Sequence, residues 1–168
     1  MKRNQTFHEE FIPLLVNGIG AKCYLELGVY DFTTIHLVKA RNPECRCIGV
    51  DMKRVCEPPV GVEFFEMTTE EFFSEDRGIR PDVVFIDADH NAKAVKADYL
   101  RAYGIVEPDG LILLHDTSPA TKADTDPGLC GDAWKVAWRL HGLVEAVTLP
   151  YHPGLTIVRK RVAWGPQG

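Results

Sequence analysis

The sequence lacks the features that mark membrane-spanning, secreted and nucleic-acid-binding proteins. No apolar run approaches the roughly 20 residues needed to cross a bilayer. The opening segment, MKRNQTFHEE, contains no apolar signal segment. The formal net charge of −5 provides no excess of Lys and Arg for binding phosphate groups or an anionic surface. We therefore expect a cytoplasmic protein that has neither a membrane nor a nucleic acid as its partner.

Cysteine is scarce, and its pattern disfavours two kinds of site. The number of cysteines is odd, at five, and a chain of 168 residues is long enough to fold without disulfide bonds. A framework of disulfide bonds is therefore disfavoured. Their spacing includes no paired C-x2-C units, so a structural zinc site is disfavoured. With 45% hydrophobic and 26% charged residues, the composition is that of one globular domain over residues 1–168.

The sequence does contain a regular alternation of short apolar runs and helical patterns. The apolar runs are continuous and rich in Val, Ile, Leu and Phe, which is typical of strands buried on both faces of a parallel sheet. We expect seven strands near residues 22–27, 46–51, 61–66, 82–87, 110–114, 143–149 and 155–161. A turn containing proline and glycine joins the last two, so one strand should run antiparallel. This pattern predicts an α/β fold, a single doubly wound sheet with helices on both faces.

Some helix boundaries are also visible in the sequence. Capping-box spacing at Thr6 with Glu9 and at Thr68 with Glu71 indicates two helix starts. Pro13 either kinks the first helix or is its first-turn proline, in which case that helix begins later.

A later helical pattern, DAWKVAWRLHG, places two tryptophans on one face. Trp134 and Trp138 share this face with Ala137, and Gly142 ends the element. We expect both tryptophans to lie mainly in the core.

The stretch LELGVYDFTT, residues 25–34, follows the first predicted strand and contains a single glycine. Dinucleotide-binding folds need G-x-G-x-x-G here, because backbone amides must surround a diphosphate at the helix N-terminus. Gly28 stands alone and Asp31 would repel phosphate, so a nicotinamide or flavin dinucleotide is disfavoured. A nucleoside ligand with no phosphate and a cationic end would instead favour the carboxylate of Glu26. S-adenosylmethionine fits that description.

A second acid lies at the end of the next predicted strand. Asp51 comes 23 positions after Gly28, close to the spacing of about 20 residues at which a carboxylate accepts both ribose hydroxyls. Aspartate after a strand is also common as an N-cap or turn residue. Both interpretations of Asp51 stay open at this level.

Five segments together resemble the class I S-adenosylmethionine-dependent methyltransferases over roughly residues 20–162. They are LELGVYDFTT, IGVD, FFEMTTEEF, DVVFIDADHNAKAVKADY and VEPDGLILLHDT. The resemblance implies the strand order 3-2-1-4-5-7-6 with strand 7 antiparallel. FIDADH followed by LLHDT is most similar to the small-molecule O-methyltransferase branch. This implies methylation of a hydroxyl on a small-molecule acceptor of sugar or natural-product type.

The resemblance also implies a set of cofactor-binding residues at strand ends. They are Glu26, Gly28, Tyr30, Asp51, Met52, Glu66, Met67, Thr68 and Asp87. Asp51 is expected toward the ribose, and Met67 or Thr68 near the adenine. One position departs from the family, which usually has E-x-G-x-x-x-G, because Phe32 occupies the place of the second glycine. Its ring could fill the space of the cofactor's methionine part or point away from it.

Two other interpretations remain open. Phe32 and the compact length also permit a methyltransferase-fold protein that no longer transfers methyl groups and serves as a binding or assembly module. A nucleotide-dependent oxidoreductase or a hydrolase on a doubly wound sheet is less favoured, because the phosphate loop and a G-x-S-x-G elbow are both missing from the sequence.

Methyl transfer from a sulfonium to an oxygen requires an aligned acceptor that loses its proton to a base or has its pKa lowered by a metal. In the metal-dependent branch of the resembled family, the matching positions imply that Asp87, His115 and Asp116 bind a divalent ion. Magnesium prefers oxygen ligands, whereas imidazole suits manganese, iron, nickel or zinc. His115 could instead be a general base, with His90 a second candidate, so the catalytic candidates are Asp87, His90 and His115. The acceptor and any homo-oligomer stay open.

Overall fold

Helices and strands alternate along most of the chain in the computed structural model, which describes residues 6–161. The strands are β1 (Cys23–Leu27), β2 (Arg46–Asp51), β3 (Val62–Glu66), β4 (Val83–Ile86), β5 (Leu111–His115), β6 (Glu145–Leu149) and β7 (Leu155–Arg159). The helices are α1 (Phe7–Gly18), α2 (Thr33–Arg41), α3 (Thr69–Phe73), α4 (Ala92–Ile105) and α5 (Trp134–Leu140). Each strand boundary lies within two residues of its predicted position.

The strands form one seven-stranded sheet in the order β3-β2-β1-β4-β5-β7-β6. Strands β1 to β5 pair in parallel, whereas β7 is antiparallel to both β5 and β6. Parallel neighbours require crossover connections, and α2, α3 and α4 lie in or near these connections. The predicted order and the single reversed strand are therefore confirmed.

Alternation of side chains along the central strands creates two separate cores. Leu25 and Leu27 point into a cluster that includes buried residues of α3, α4 and α5. Tyr24 points to the opposite face, where the cluster includes buried residues of α1 and α2. Because successive strand residues face opposite sides, one strand supplies both cores. The sheet is thus covered by helices on both faces, as predicted.

The predicted helix starts are confirmed at α1 and α3. The backbone N–H of Thr6 donates to Oε2 of Glu9 over 2.8 Å. At α3, Thr68 and Glu71 exchange side-chain and backbone hydrogen bonds in a full capping box. Pro13 lies inside α1, which begins at Phe7, so the alternative of a later helix start near Phe11 is wrong. Among residues 6–161, no helix is long and apolar enough to cross a membrane.

The expectation that both tryptophans lie in the core is wrong for Trp138. Its side chain is 73% exposed, and Trp134 is only half-buried. In α5, the buried residues are Val136 and Ala137. The predicted helix is present. It has only seven residues and lies at one edge of the sheet, so fewer of its residues are buried than the periodicity indicated.

Candidate functional site

The turn after β1 brings three strand ends together. Gly28 has a φ of +87°, and a Cβ at this position would overlap the backbone carbonyl of Asp87 and the Cα of Ala88. Its own N–H donates to the carbonyl of Val50 over 2.8 Å. Only glycine combines this backbone angle with so close an approach. The ends of β1, β2 and β4 therefore meet around Gly28.

A cleft of about 590 Å³ opens at this edge of the sheet, and we call it the central cleft. It is lined by Gly28, Val50, Asp51, Met52, Met67, Thr68, Thr69, Glu70, Ala88, Asp89, Asn91, Lys93, Ala94, Ala97, Asp98 and Arg101. This volume is within the usual range for small-molecule sites. Five predicted cofactor residues are thus brought together here, namely Gly28, Asp51, Met52, Met67 and Thr68.

Asp51 has a defined structural role in this cleft. Its Oδ2 accepts a hydrogen bond from the backbone N–H of Tyr30 over 2.9 Å, and its Oδ1 accepts one from Lys53 over 3.1 Å. Each carboxylate oxygen has a second lone pair, so both oxygens keep an acceptor site. The two interpretations of Asp51 are therefore compatible, because it is a turn acid that also lines the cleft.

Glu26 lies beneath the cleft rather than in its lining. Its side chain is 2% exposed, and Oε2 accepts a hydrogen bond from the Tyr24 hydroxyl over 2.6 Å. Burial raises the pKa of the Glu26 carboxyl well above its ordinary value, although the Tyr24 hydrogen bond acts in the opposite direction. Glu26 therefore holds a proton more tightly than an exposed glutamate does.

Two other predicted cofactor residues lie outside the lining of the central cleft. The Tyr30 side chain is 71% exposed, and Tyr30 instead contributes its backbone N–H to Asp51. Glu66 is exposed at the end of β3, with Oε2 3.8 Å from Nε of Arg54. Asp87, the last of the predicted set, lines a neighbouring pocket.

This neighbouring pocket of about 320 Å³ concentrates acids and histidines, and we call it the acid–histidine pocket. It is lined by Asp87, His90, His115, Asp116, Asp124, Leu129, Cys130, His152 and Pro153. Nδ1 of His115 lies 2.9 Å from Oδ1 of Asp87 and 3.3 Å from Oδ2 of Asp116. The three residues predicted to converge after β4 and β5 are therefore in direct contact.

The other ring nitrogen of His115 contacts a residue from α1 that the sequence analysis missed. Nε2 of His115 lies 3.0 Å from Nδ1 of His8, with 4.2 Å between the ring centroids. The two residues are 107 positions apart in the chain. Nothing in the local pattern around His8 signals this contact, because the contact depends on how α1 packs against the sheet.

The electrostatics of this pair decide which ring carries the additional proton. Burial disfavours the charged form of His115, but the charges and hydrogen bonds of Asp87 and Asp116 outweigh it and raise the pKa of His115 to about 10. Burial, followed by the repulsion of His115, lowers the pKa of His8 to about 4. The two carboxylates thus favour the protonated form of His115, whereas burial and the charge of His115 favour the neutral form of His8.

A different histidine completes the group of possible metal ligands. Asp87, His90 and Asp116 each offer one ligand atom, and these atoms all lie within 4.8 Å of one another. Nε2 of His90 is 3.1 Å from Oδ2 of Asp116. The sequence analysis predicted His115 in this place, whereas both nitrogens of His115 are hydrogen-bonded to protein groups. Two carboxylates with one imidazole form a donor set that fits manganese, iron or zinc better than magnesium.

Comparison with known families adds to this geometry. The profile of a family described as a methyltransferase domain matches residues 25–117, which is more than half of the chain. The chain belongs to this methyltransferase domain family. The match begins within β1 and extends past β5, so the ends of the strands around both pockets lie within it. No curated protein sequence matches the chain at a significant level.

Solved structures support the same fold for this methyltransferase domain. A cofactor-bound protein from MTB has a TM-score of 0.76 at 17% identity, with 95% of this chain and 82% of that chain covered. An O-methyltransferase from Bacillus cereus in complex with SAH has a TM-score of 0.71 at 16% identity, with coverage of 95% and 83%. The O-methyltransferase TomG from Streptomyces achromogenes, in complex with SAM, has a TM-score of 0.73 at 14% identity, with coverage of 95% and 82%.

Phe32, at the position where a glycine is usual in the methyltransferase family, points away from the central cleft. Its backbone has a φ of +61°, the left-handed region that glycine adopts easily. The side chain is 2% exposed and lies in the core between the sheet, α1 and α2. Of the two orientations considered for this ring, the structure has the one that leaves the cleft open.

Proposed function

We propose that this protein transfers a methyl group from S-adenosylmethionine to an oxygen of a small-molecule acceptor. The observation that carries the proposal is the position of the central cleft directly beside the acid–histidine pocket, with Asp87 and Ala88 at their boundary. The central cleft would hold the nucleoside cofactor, and the acid–histidine pocket would hold the acceptor. The Bacillus cereus protein and TomG, which are O-methyltransferases in complex with SAH and SAM respectively, support this assignment.

In the central cleft, each cofactor group would face a matching part of the protein. Asp51 would accept hydrogen bonds from the ribose hydroxyls, because both of its oxygens keep a free lone pair. Met67 and Thr68 would lie beside the adenine, and the backbone at Gly28 would approach the cofactor closely. Glu26, Tyr30, Met52, Glu66 and Asp87 complete the proposed cofactor set, with Glu26 acting from beneath the cleft.

In the acid–histidine pocket, Asp87, His90 and Asp116 would hold a divalent ion. When bound, such an ion supplies a positive charge that lowers the pKa of the acceptor hydroxyl. His115 holds the two carboxylates in place by donating to both of them from Nδ1. If the reaction proceeds without a metal, His90 and His115 are the base candidates, and the raised pKa of His115 favours His90 in this role.

Besides the compact length of the chain, the alternative of a noncatalytic binding or assembly module rested on Phe32 in place of a glycine. Because the Phe32 ring lies in the core, that reason no longer applies. The seven strands of residues 6–161 form one sheet, which supports the interpretation of the chain as one domain. A small-molecule acceptor remains the proposed partner.

Calorimetry with S-adenosylmethionine and S-adenosylhomocysteine tests the proposed cofactor. We expect binding of both by the full chain. Transfer of a labelled methyl group to panels of phenols, catechols and glycosides then tests the acceptor class. Failure of the unmutated protein to bind either cofactor form would contradict the proposed function.

A further inference from the structure

We infer that His8 is a positioning residue for the acid–histidine pocket. Its Nδ1 lies 3.0 Å from Nε2 of His115, within hydrogen-bond distance, and this contact fixes the orientation in which Nδ1 of His115 joins Asp87 and Asp116. The inference rests on the proposed function in one respect, namely that the carboxylates of Asp87 and Asp116 have a role in catalysis. It makes the N-terminal helix α1 part of the site, outside residues 25–117 of the family match.

The orientation of the His115 ring needs to be determined by hydrogen bonds. An imidazole can rotate by 180° about its Cβ–Cγ bond and exchange nitrogen and carbon positions with little change in shape. The partners at both ring nitrogens therefore decide which orientation is adopted. In His115, the carboxylates of Asp87 and Asp116 are at one nitrogen, and His8 is at the other.

His8 has polar contacts at both of its ring nitrogens. Oγ1 of Thr6 lies 3.2 Å from Nδ1 and 3.3 Å from Nε2, and Nδ1 also lies 3.0 Å from Nε2 of His115. The His8 ring also packs near Phe85, with 5.9 Å between the ring centroids. Further along α1, Ile12 and Val16 are completely buried, so the helix cannot shift easily.

Loss of the His8 ring nitrogen would leave a buried ring nitrogen of His115 without a partner. The His115 side chain is only 11% exposed, so little water reaches its Nε2. An unpaired buried donor carries a desolvation penalty, and the ring would rotate or move to find another partner. Either change alters the contacts of Nδ1 with Asp87 and Asp116. His8 therefore acts on the proposed ligands through His115 and does not itself contact the proposed acceptor.

Two variants separate the hydrogen bond from the shape of the ring. His8→Phe keeps a flat ring but has no acceptor. His8→Asn loses the ring but keeps a side-chain oxygen near the position of Nδ1. Selective ¹⁵N labelling of histidine, with spectra recorded at pH 7, reports the hydrogen bonding of both ring nitrogens of His115. We expect the unmutated pattern in His8→Asn and a changed Nε2 signal in His8→Phe.

Manganese affinity provides the functional measurement. Partners that orient a metal site from outside typically change metal affinity by about 10–100-fold when they are removed. We expect a loss of at least about tenfold in His8→Phe and less than about threefold in His8→Asn. S-adenosylhomocysteine affinity should stay the same in both variants, because His8 is not in the lining of the central cleft.

The outcomes distinguish this inference from the proposed function. An unchanged His115 spectrum in His8→Phe would overturn the inference, and so would equal changes in both variants. If the unmutated protein binds neither cofactor nor manganese, the proposed function is wrong, and the His115 spectra alone decide the role of His8.

Discussion

The Phe32 ring meets the Phe64 ring edge to face, with 5.0 Å between the ring centroids and 74° between their planes. This pairing holds a residue with a φ of +61° in the turn that follows β1. Aromatic edge-to-face contacts and burial of the ring compensate for the cost of a left-handed backbone. The chain therefore keeps the turn geometry of a glycine while adding a large side chain to the core.

Phe32→Ala should lower the free energy of unfolding by about 3–5 kcal/mol, as expected for removal of a buried phenyl ring. Phe32→Gly should be at least as stable as Phe32→Ala, because glycine adopts the positive φ without strain. Urea denaturation measures both differences. Affinity for S-adenosylhomocysteine should change little in either variant, and a gain in affinity would indicate that the ring obstructs the cofactor.

Gly28→Ala should destabilise the protein and weaken S-adenosylhomocysteine binding by more than about tenfold, since its Cβ would overlap the backbone of Asp87 and Ala88. Gly20→Ala is a matched control, because Gly20 also has a positive φ of +66° but has no neighbouring atom within 4 Å of the added Cβ. The control should lose only about 1 kcal/mol of stability and no affinity. Equal losses in the two variants would mean that glycine is required at position 28 because of backbone strain and not because of the close approach to Asp87 and Ala88.

Asp51→Ala should weaken S-adenosylhomocysteine binding by about 1–3 kcal/mol, because hydrogen bonds between a charged carboxylate and the ribose would be lost. The turn formed with Tyr30 and Lys53 would also loosen. Glu44→Ala removes an exposed acid outside the central cleft and serves as the control for net charge. Calorimetry compares the variants, and unchanged affinity in Asp51→Ala would remove Asp51 from the proposed site.

Glu26→Gln should make the free energy of unfolding less dependent on pH. Burial raises the pKa of folded Glu26 well above 4.5, with Asp87 and Asp31 adding to the rise and Tyr24 and His115 opposing it. The folded state therefore retains a proton that the unfolded state loses, and stability falls as the pH rises above about 4.5 toward the folded pKa. Glutamine has no such proton to lose.

Urea denaturation between pH 4 and pH 8 checks this expectation. The stability of Glu26→Gln relative to the unmutated protein should increase as the pH rises from about 4.5 toward the folded pKa of Glu26. Parallel curves for the two proteins would contradict the raised pKa. The same variant should bind S-adenosylhomocysteine more weakly if Glu26 contributes to the cofactor site, so stability and affinity would change in opposite directions.

His90→Ala should weaken manganese binding by at least about tenfold, because one of three proposed ligands is removed. His36→Ala, which changes an exposed histidine in α2, should leave the affinity unchanged. Electron paramagnetic resonance of added manganese measures the bound fraction in each case. Equal affinity in the two variants would exclude His90 as a ligand.

Much of the fold could be predicted from the sequence, because strand burial and helix capping leave signals over a few residues. The continuous apolar run that became β1 and the capping box at Thr68 and Glu71 are examples. The strand order required the family resemblance, since periodicity does not indicate which strands are neighbours. The glycine turn at Gly28 and the acid at Asp51 were also visible, because each follows a strand directly.

The amino-acid sequence by itself determined the alternation of elements, the reversed last strand and the residues at the strand ends. Only the tertiary structure decided which side chains at those ends share a pocket. Phe32 could have pointed in either direction, and packing against Phe64 selected the core. His115 lies between the carboxylates of Asp87 and Asp116 at one ring nitrogen and His8, 107 residues away in the chain, at the other. Ring orientation and protonation depend on such distant neighbours, and a local pattern contains no information about them.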